Sequence, residues 1–152
     1  MSEHTETAEI ITTNSGAIQS FSDTLMADVT EQGYYATFKI ETMEDKKILY
    51  AARNDNELLR DHMGEVIEVA QFVIDTQKIN DAEFGSKTVP CLHIIATDGT
   101  CYQSASSGVV ESACKIISTF GMPDTWDEPI NVACKETTTN NGFRYKFLQV
   151  LQ

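Results

Sequence analysis

Two groupings in this chain have residue types that do chemistry. The first is Cys91-x-His93, a thiol and an imidazole two positions apart, both metal-ligand types. The second is a set of rings set among cations and hydroxyls. It comprises Tyr102 with Ser104, Arg144-Tyr145-Lys146 with Lys135 upstream, and Tyr35 with Lys39 earlier in the chain. Rings of this kind stack on planar groups for roughly 1–3 kcal/mol each, while cations follow a line of phosphates. The metal grouping lacks a third ligand, because the hairpin register derived below puts Cys101 on the opposite face. The four cysteines form no CxxC pair and are expected to be reduced. SASSG is not the GxSxG elbow of a serine hydrolase, and no Gly-rich phosphate loop links a strand to a helix. Neither catalysis, a cofactor nor a metal is expected, which leaves the rings and cations.

A net charge of −12 runs against binding a polyanion, but the charge is unevenly placed. Residues 1–33 hold six acids and no Lys or Arg; the remainder has 17 acids and 11 bases. Between Ile130 and Gln152 the internal balance reverses, with Lys135, Arg144 and Lys146 against Glu136. Charges are screened over about 10 Å at 0.1 M salt, so a local basic edge counts for more than the total. No apolar run approaches the roughly 18 residues of a membrane span, and MSEHTETAE lacks the features of a signal peptide. A cytoplasmic protein without membrane contact is expected.

The elements that must position these residues follow from pattern. Residues 1–20 read as an acidic mobile tail, and 21–152 as one domain. Ser22 is expected to cap a short helix carrying Leu25, Met26 and Val29. YYATFKIE and KKILYAA read as a hairpin around TMED, with Tyr35, Thr37 and Lys39 on one face. NDNELLRDHMG reads as a short helix between Asp55 and Gly64. EVIEVAQFVIDTQ lacks clean alternation, as a coiled strand serving two sheets would, and KINDAEFGSKTVP reads as a loop. TVPCLHIIAT and TCYQSAS flank Asp98-Gly99, a two-residue hairpin signal. The best helix carries Val109, Val110, Ala113, Ile116, Ile117 and Phe120 on one stripe and stops at Gly121. INVACKE and FRYKFLQVL then flank an Asn141-Gly142 turn. From residue 65 on, the order is strand, strand, strand, helix, strand, strand. That order predicts a mainly β fold: an OB-fold-like five-stranded barrel with one linking helix and an added N-terminal hairpin, Trp126 acting as a lid. An open α+β sheet is the competing architecture.

A two-residue turn at Asp98-Gly99 pairs Ile95 with Tyr102 and His93 with Ser104. Cys91, His93, Ile95, Tyr102, Ser104 and Ser106 then share an outward, wettable face, and Leu92, Ile94, Ala96, Cys101, Gln103 and Ala105 line the barrel. The same bookkeeping at Asn141-Gly142 puts Lys135, Arg144 and Lys146 on one face, with Phe147 turned toward the interior. Such a surface suits single-stranded nucleic acid, bound without sequence preference. An acidic protein-interaction module or a nucleic-acid-mimicking inhibitor is the alternative.

LYAARND, MGEVIEVAQFVID, DGTCYQSASSGVVESACKIISTFGMPDTW and NNGFRYKFLQV resemble the small single-stranded DNA-binding proteins of tailed bacteriophages. The resemblance covers roughly residues 45–151. Its most telling block is DG-x-x-Y-x-x-x-S-x-G followed by a helix and FG-x-P-x-x-W. It implies coating of single-stranded DNA during phage genome replication in the host cytoplasm, with phage replication proteins as further partners. The expected contacts are Tyr35, Lys39, Tyr50, Arg53, His93, Tyr102, Ser104, Lys135, Arg144, Tyr145 and Lys146.

Overall fold

A computed structural model describes residues 23–81, 83 and 85–152; the expected tail at 1–20 and the cap at Ser22 lie outside them. Residues 23–32 are helical (α1), with Leu25 and Val29 buried as their spacing requires, and Gly33 (φ 93°) ends the helix. A short strand β1 (Tyr35–Ala36) follows, then helix α2 (Met43–Asn54). The expected N-terminal hairpin is therefore absent. TMED, read as a turn, is a capping box. Thr42 Oγ1 accepts from the Asp45 N–H at 3.1 Å, and Asp45 Oδ2 accepts from the Thr42 N–H at 3.0 Å. These reciprocal bonds satisfy the first orphan donors and start a helix through ILYAA.

NDNELLRDHMG is also not an α-helix. It forms β2 (Glu57–Leu58) and a 3₁₀ turn at Leu59–His62, ended by Gly64 at φ 81°. The remaining elements are β3 (Ile67–Asp81), β4 (Gly85–Ala96), β5 (Cys101–Ser104), α3 (Ser107–Phe120), β6 (Ile130–Thr138) and β7 (Arg144–Val150).

The seven strands among the described residues join one sheet in the order β2-β5-β4-β3-β6-β7, with β1 beside β3. β3 is the pivot. One edge pairs with β4 along its length; the other pairs with β6 at Ile67–Val69 and with β1 at Val73–Ile74. A bulge between Val69 and Gln71 bends it and explains the missing alternation, since Val69 and Phe72 are both core residues. The sheet curls into an open half-barrel, with no ladder between β2 and β7. Seven strands and an open seam replace the expected closed five-stranded barrel.

The two faces are covered unequally. On the inner face, Phe72, Ile74, Leu92 and Ile94 are at most 1% exposed and pack with Val109, Ala113 and Ile117 of α3 and with Leu25 of α1. Full burial of such side chains stabilises the fold by about 1.5–3 kcal/mol apiece. Trp126 packs on this core and donates from Nε1 to the Gly121 carbonyl, consistent with a lid. On the outer face α2 lays Leu49 and Ala52 over Val73, Ile95 and Cys101.

Beyond Asp75 and Cys91 the two long strands leave the core. They stay paired from Thr76↔Pro90 to Asp81↔Gly85, so KINDAEFGSKTVP is mostly strand rather than loop. Between Thr76 and Pro90, only Ile79 and Val89 among the residues of described burial are partly buried. The result is a projecting β-arm.

Both glycine turns differ from expectation in the same way. Ala96 donates to the Thr100 carbonyl, which leaves Thr97, Asp98 and Gly99 in the loop, with Gly99 at φ 93°. Thr139 likewise donates to the Phe143 carbonyl, leaving Asn140, Asn141 and Gly142, with Gly142 at φ 86°. These are three-residue loops with a left-handed glycine in third place, and not two-residue turns. Each shifts the following strand by one residue, which exchanges its faces.

Helix α3 lies against the free edge of β7. Ser112 Oγ accepts from the Leu148 N–H at 3.1 Å and donates to the Gly108 carbonyl at 2.8 Å. A Cβ added at Gly108 would overlap the Lys146 carbonyl. Exchanging Gly for Ala inside a helix usually stabilises by about 0.5–1 kcal/mol. For Gly108→Ala the opposite sign is expected, a loss of roughly 1–3 kcal/mol from overpacking, measured as a lower denaturant midpoint. A raised midpoint would show that α3 does not pack this closely.

Candidate nucleic-acid interface

The segment Phe143-Arg144-Tyr145-Lys146-Phe147 alternates ring and cation, and in β7 successive side chains point to opposite faces. The register is Lys135↔Phe147, Glu136↔Lys146, Thr137↔Tyr145 and Thr138↔Arg144. Opposed residues share a face, so Lys135 goes with Phe147 and Tyr145, while Arg144 and Lys146 go with Glu136. The expected grouping of Lys135 with Arg144 and Lys146, and the inward Phe147, are both corrected. The cause is the three-residue turn.

Two cavities border β7. On the cation side, one of about 310 Å³ lies among Lys146, Arg60, Leu58, the end of β5 and the root of the arm at Gln77 and Ile79. Neither Arg60 nor Lys146 has an ion-pair partner among the described residues. Ser104 and Ser106 line the same cleft, and Ser104 Oγ accepts from the Ser106 N–H at 3.1 Å, shaping the turn into α3. Arg144 is instead tied to Glu136 at 2.9 Å. On the ring side, a groove of about 470 Å³ runs between α3 and β7, lined by Tyr145, Phe147 and Phe120.

Arg60, Phe120 and Phe147 were not expected here. Arg60 was assigned to a helix that does not form, Phe147 to the interior by the turn, and Phe120 to the buried stripe of α3, where it is 46% exposed.

Other expected contacts lie elsewhere. Tyr35 is core, its hydroxyl donating to Met122 Sδ at 3.5 Å and its pKa pushed up to about 12 by burial. His93 is 2% exposed beneath α2. Tyr102 pairs with Ile94 rather than Ile95 and so turns to the inner face, half-buried against the core. The face that was expected to be wet instead carries Cys91, His93, Ile95 and Cys101, all buried. Lys39, Tyr50 and Lys135 are exposed but line neither cavity.

Arg53 and His93 converge on a buried carboxylate. Asp75 accepts from Arg53 Nε at 2.9 Å and from His93 Nε2 at 2.8 Å. Asn56 Nδ2 donates to the Ala52 carbonyl at 2.8 Å, which orients its amide, and also to His93 Nδ1 at 3.2 Å. The proton of His93 therefore sits on Nε2, facing Asp75. Burial alone would raise the Asp75 pKa, but His93 and Arg53 outweigh it and hold it below the usual carboxylate value. Removing one partner of such a buried pair typically costs about 3–5 kcal/mol. Asp75 is also the third ligand type that Cys91-x-His93 lacked, the three lying within 4.8 Å. Its oxygens are already matched to two protein donors, and the network ties α2 to β3 and β4.

A cleft with two unpaired cations and a strand edge bearing exposed rings has the chemistry of a single-strand binder. A family model described as Phage Single-stranded DNA-binding protein, the Phi29 type, matches residues 28–151. The chain belongs to this family. Its members bind single-stranded DNA in phage replication, and single-stranded DNA is the partner of this protein. The match reaches further toward the N-terminus than the resemblance around residues 45–151, taking in β1 and all of α2. No curated protein and no solved structure matches the chain. No helix among the described residues is long and apolar enough to cross a membrane.

One titrating group borders the inner face. His62 Nδ1 meets Glu65 Oε1 at 3.0 Å and Nε2 meets Glu57 Oε1 at 2.6 Å, with the ring edge-on to Tyr102 at 5.2 Å. Donating to both carboxylates requires the imidazolium. The bond to Glu65, helped by that to Glu57, raises the pKa above 6.5. A raised folded-state value means that the clamp is full below the unfolded His pKa and is lost as pH rises through the folded one. His62→Gln should thus destabilise most between the carboxylate range (about 4.3) and about 6.5, converging on wild type at higher pH. A His62 NMR titration at or below the unperturbed value would refute the clamp.

Proposed function

We propose that the protein holds single-stranded DNA without sequence preference in the cleft between the β-arm and β7, with phosphates on Arg60 and Lys146. The observation that carries this reading is the convergence of these two cations, unpaired in an acidic chain, on one cavity beside an exposed tyrosine. The half-barrel is read as an opened OB-fold. From β3 to β7 the element order is that of the fold, and β3 pairs with both the second and fourth strands of the set. OB-folds use the face of strands 2 and 3 and the loops joining strands 1 to 2 and 4 to 5. Here α2 covers that outer face, so binding shifts to the two connections: the β3–β4 arm and the Asn140–Gly142 turn with β7.

Ser104 shapes the rim and Tyr145 offers the first ring, 47% exposed. Residues 21–152 act as one binding domain, and the protein works in the host cytoplasm beside phage replication proteins, without catalysis of its own.

Few phosphates are neutralised, so affinity should fall only gently with salt. Lys146→Ala and Arg60→Ala should each weaken oligo-dT binding and lower the slope of log K against log salt by roughly 0.7 for each phosphate that is no longer neutralised. Tyr145→Ala should cost about 1–3 kcal/mol, and Tyr50→Ala nothing measurable. Unchanged slopes for both cation variants would defeat the cleft.

A further inference from the structure

We infer that the groove between α3 and β7 is a second subsite, one that takes nucleobases of the same strand. This rests on the cleft reading and extends it across β7. Phe143, Tyr145 and Phe147 alternate along the chain, and a strand rises about 3.3–3.4 Å per residue, so their rings step along β7 at about 6.7 Å. Phe143 is 72% and Tyr145 47% exposed. The Tyr145 and Phe147 rings are 6.0 Å apart and tilted by 46°, so neither covers the face of the other. Across the groove stands Phe120, 46% exposed at the end of α3, with Lys115 on the same wall.

Large apolar rings left in water need a reason, and the neighbouring cleft supplies one. An extended single strand carries phosphates along one edge and bases along the other. β7 carries Lys146 toward the cleft and, one residue to either side, Tyr145 and Phe147 toward the groove. The periodicities fit, and only one residue's width of backbone separates the two cavities. Glu111 also lines the groove. A carboxylate there repels phosphate and tolerates neutral bases, so the strand is oriented with its backbone in the cleft. Base–ring stacking is sequence-tolerant because every base has a π-face.

The test is binding of the full chain to oligo-dT and to the same oligonucleotide with abasic positions, which keeps the phosphates and removes the bases. Wild type is compared with Phe120→Ser, Phe147→Leu and the pair together. Phe120 is exposed, so its variant keeps the fold even if Phe147→Leu loosens the edge. Abasic positions should weaken wild-type binding by about 5- to 140-fold for each stack removed. The paired variant should lose a similar factor on intact oligo-dT and show a smaller abasic penalty than wild type, only the Tyr145 stack being left. Wild-type affinity of the variants for intact oligo-dT, or an abasic penalty as large in the variants as in wild type, overturns the subsite. If Lys146→Ala weakens binding while the groove variants stay flat, the cleft stands and the groove falls. If Lys146→Ala also has no effect, both fall.

Discussion

The missing side chain at Gly108 lets the first turn of α3 rest on the backbone of β7 at Lys146, where Ser112 takes up the Leu148 N–H. Much of the proposed binding surface depends on that close approach. A curled sheet with an open seam has a free edge at β7, and an uncovered edge pairs with other chains. Laying α3 along it protects that edge and leaves the ends of β5 and β7 close enough to share a cleft. It also forms the second wall of a groove against the exposed rings. A Cβ at position 108 would push these pieces apart together.

The electrostatics follow the same economy. Eleven basic residues face 23 acidic ones, so most cations could be expected to be neutralised. Arg53 is taken up by Asp75 and Arg144 by Glu136. Most other cations have no ion-pair partner among the described residues; what sets Arg60 and Lys146 apart is that they meet at one cavity. With a screening length near 10 Å at 0.1 M salt, the local pair decides what enters the cleft, while the net charge of −12 limits long-range attraction. In the proposed mode affinity then leans on rings, and Tyr145, Phe147 and Phe120 line the groove between β7 and α3.

Much of this was legible in the sequence, and the failures have specific causes. The stripe of α3, the coiled β3 and the inner face of β4 followed from periodicity. The face assignments after Gly99 and Gly142 did not. Asp-Gly and Asn-Gly suit two-residue turns, but the same pair closes a three-residue loop when its glycine takes third place. Sequence does not separate the two, and one residue of slip turned Tyr102 inward and Phe147 outward. Helix α2 was hidden because ILYAA suits either structure, and the deciding signal, the Thr42–Asp45 capping box, also looks like a polar turn. The burial of His93 depended on α2, so it fell with it.

The most direct test of where the strand lies is ultraviolet cross-linking of the full chain to oligo-dT, with the attached peptides mapped by mass spectrometry. The account predicts adducts concentrated on Tyr145 and Phe147 of β7 and on Phe120, with none at Tyr50 on α2. Adducts centred on the outer face of α2, with β7 unmodified, would contradict it.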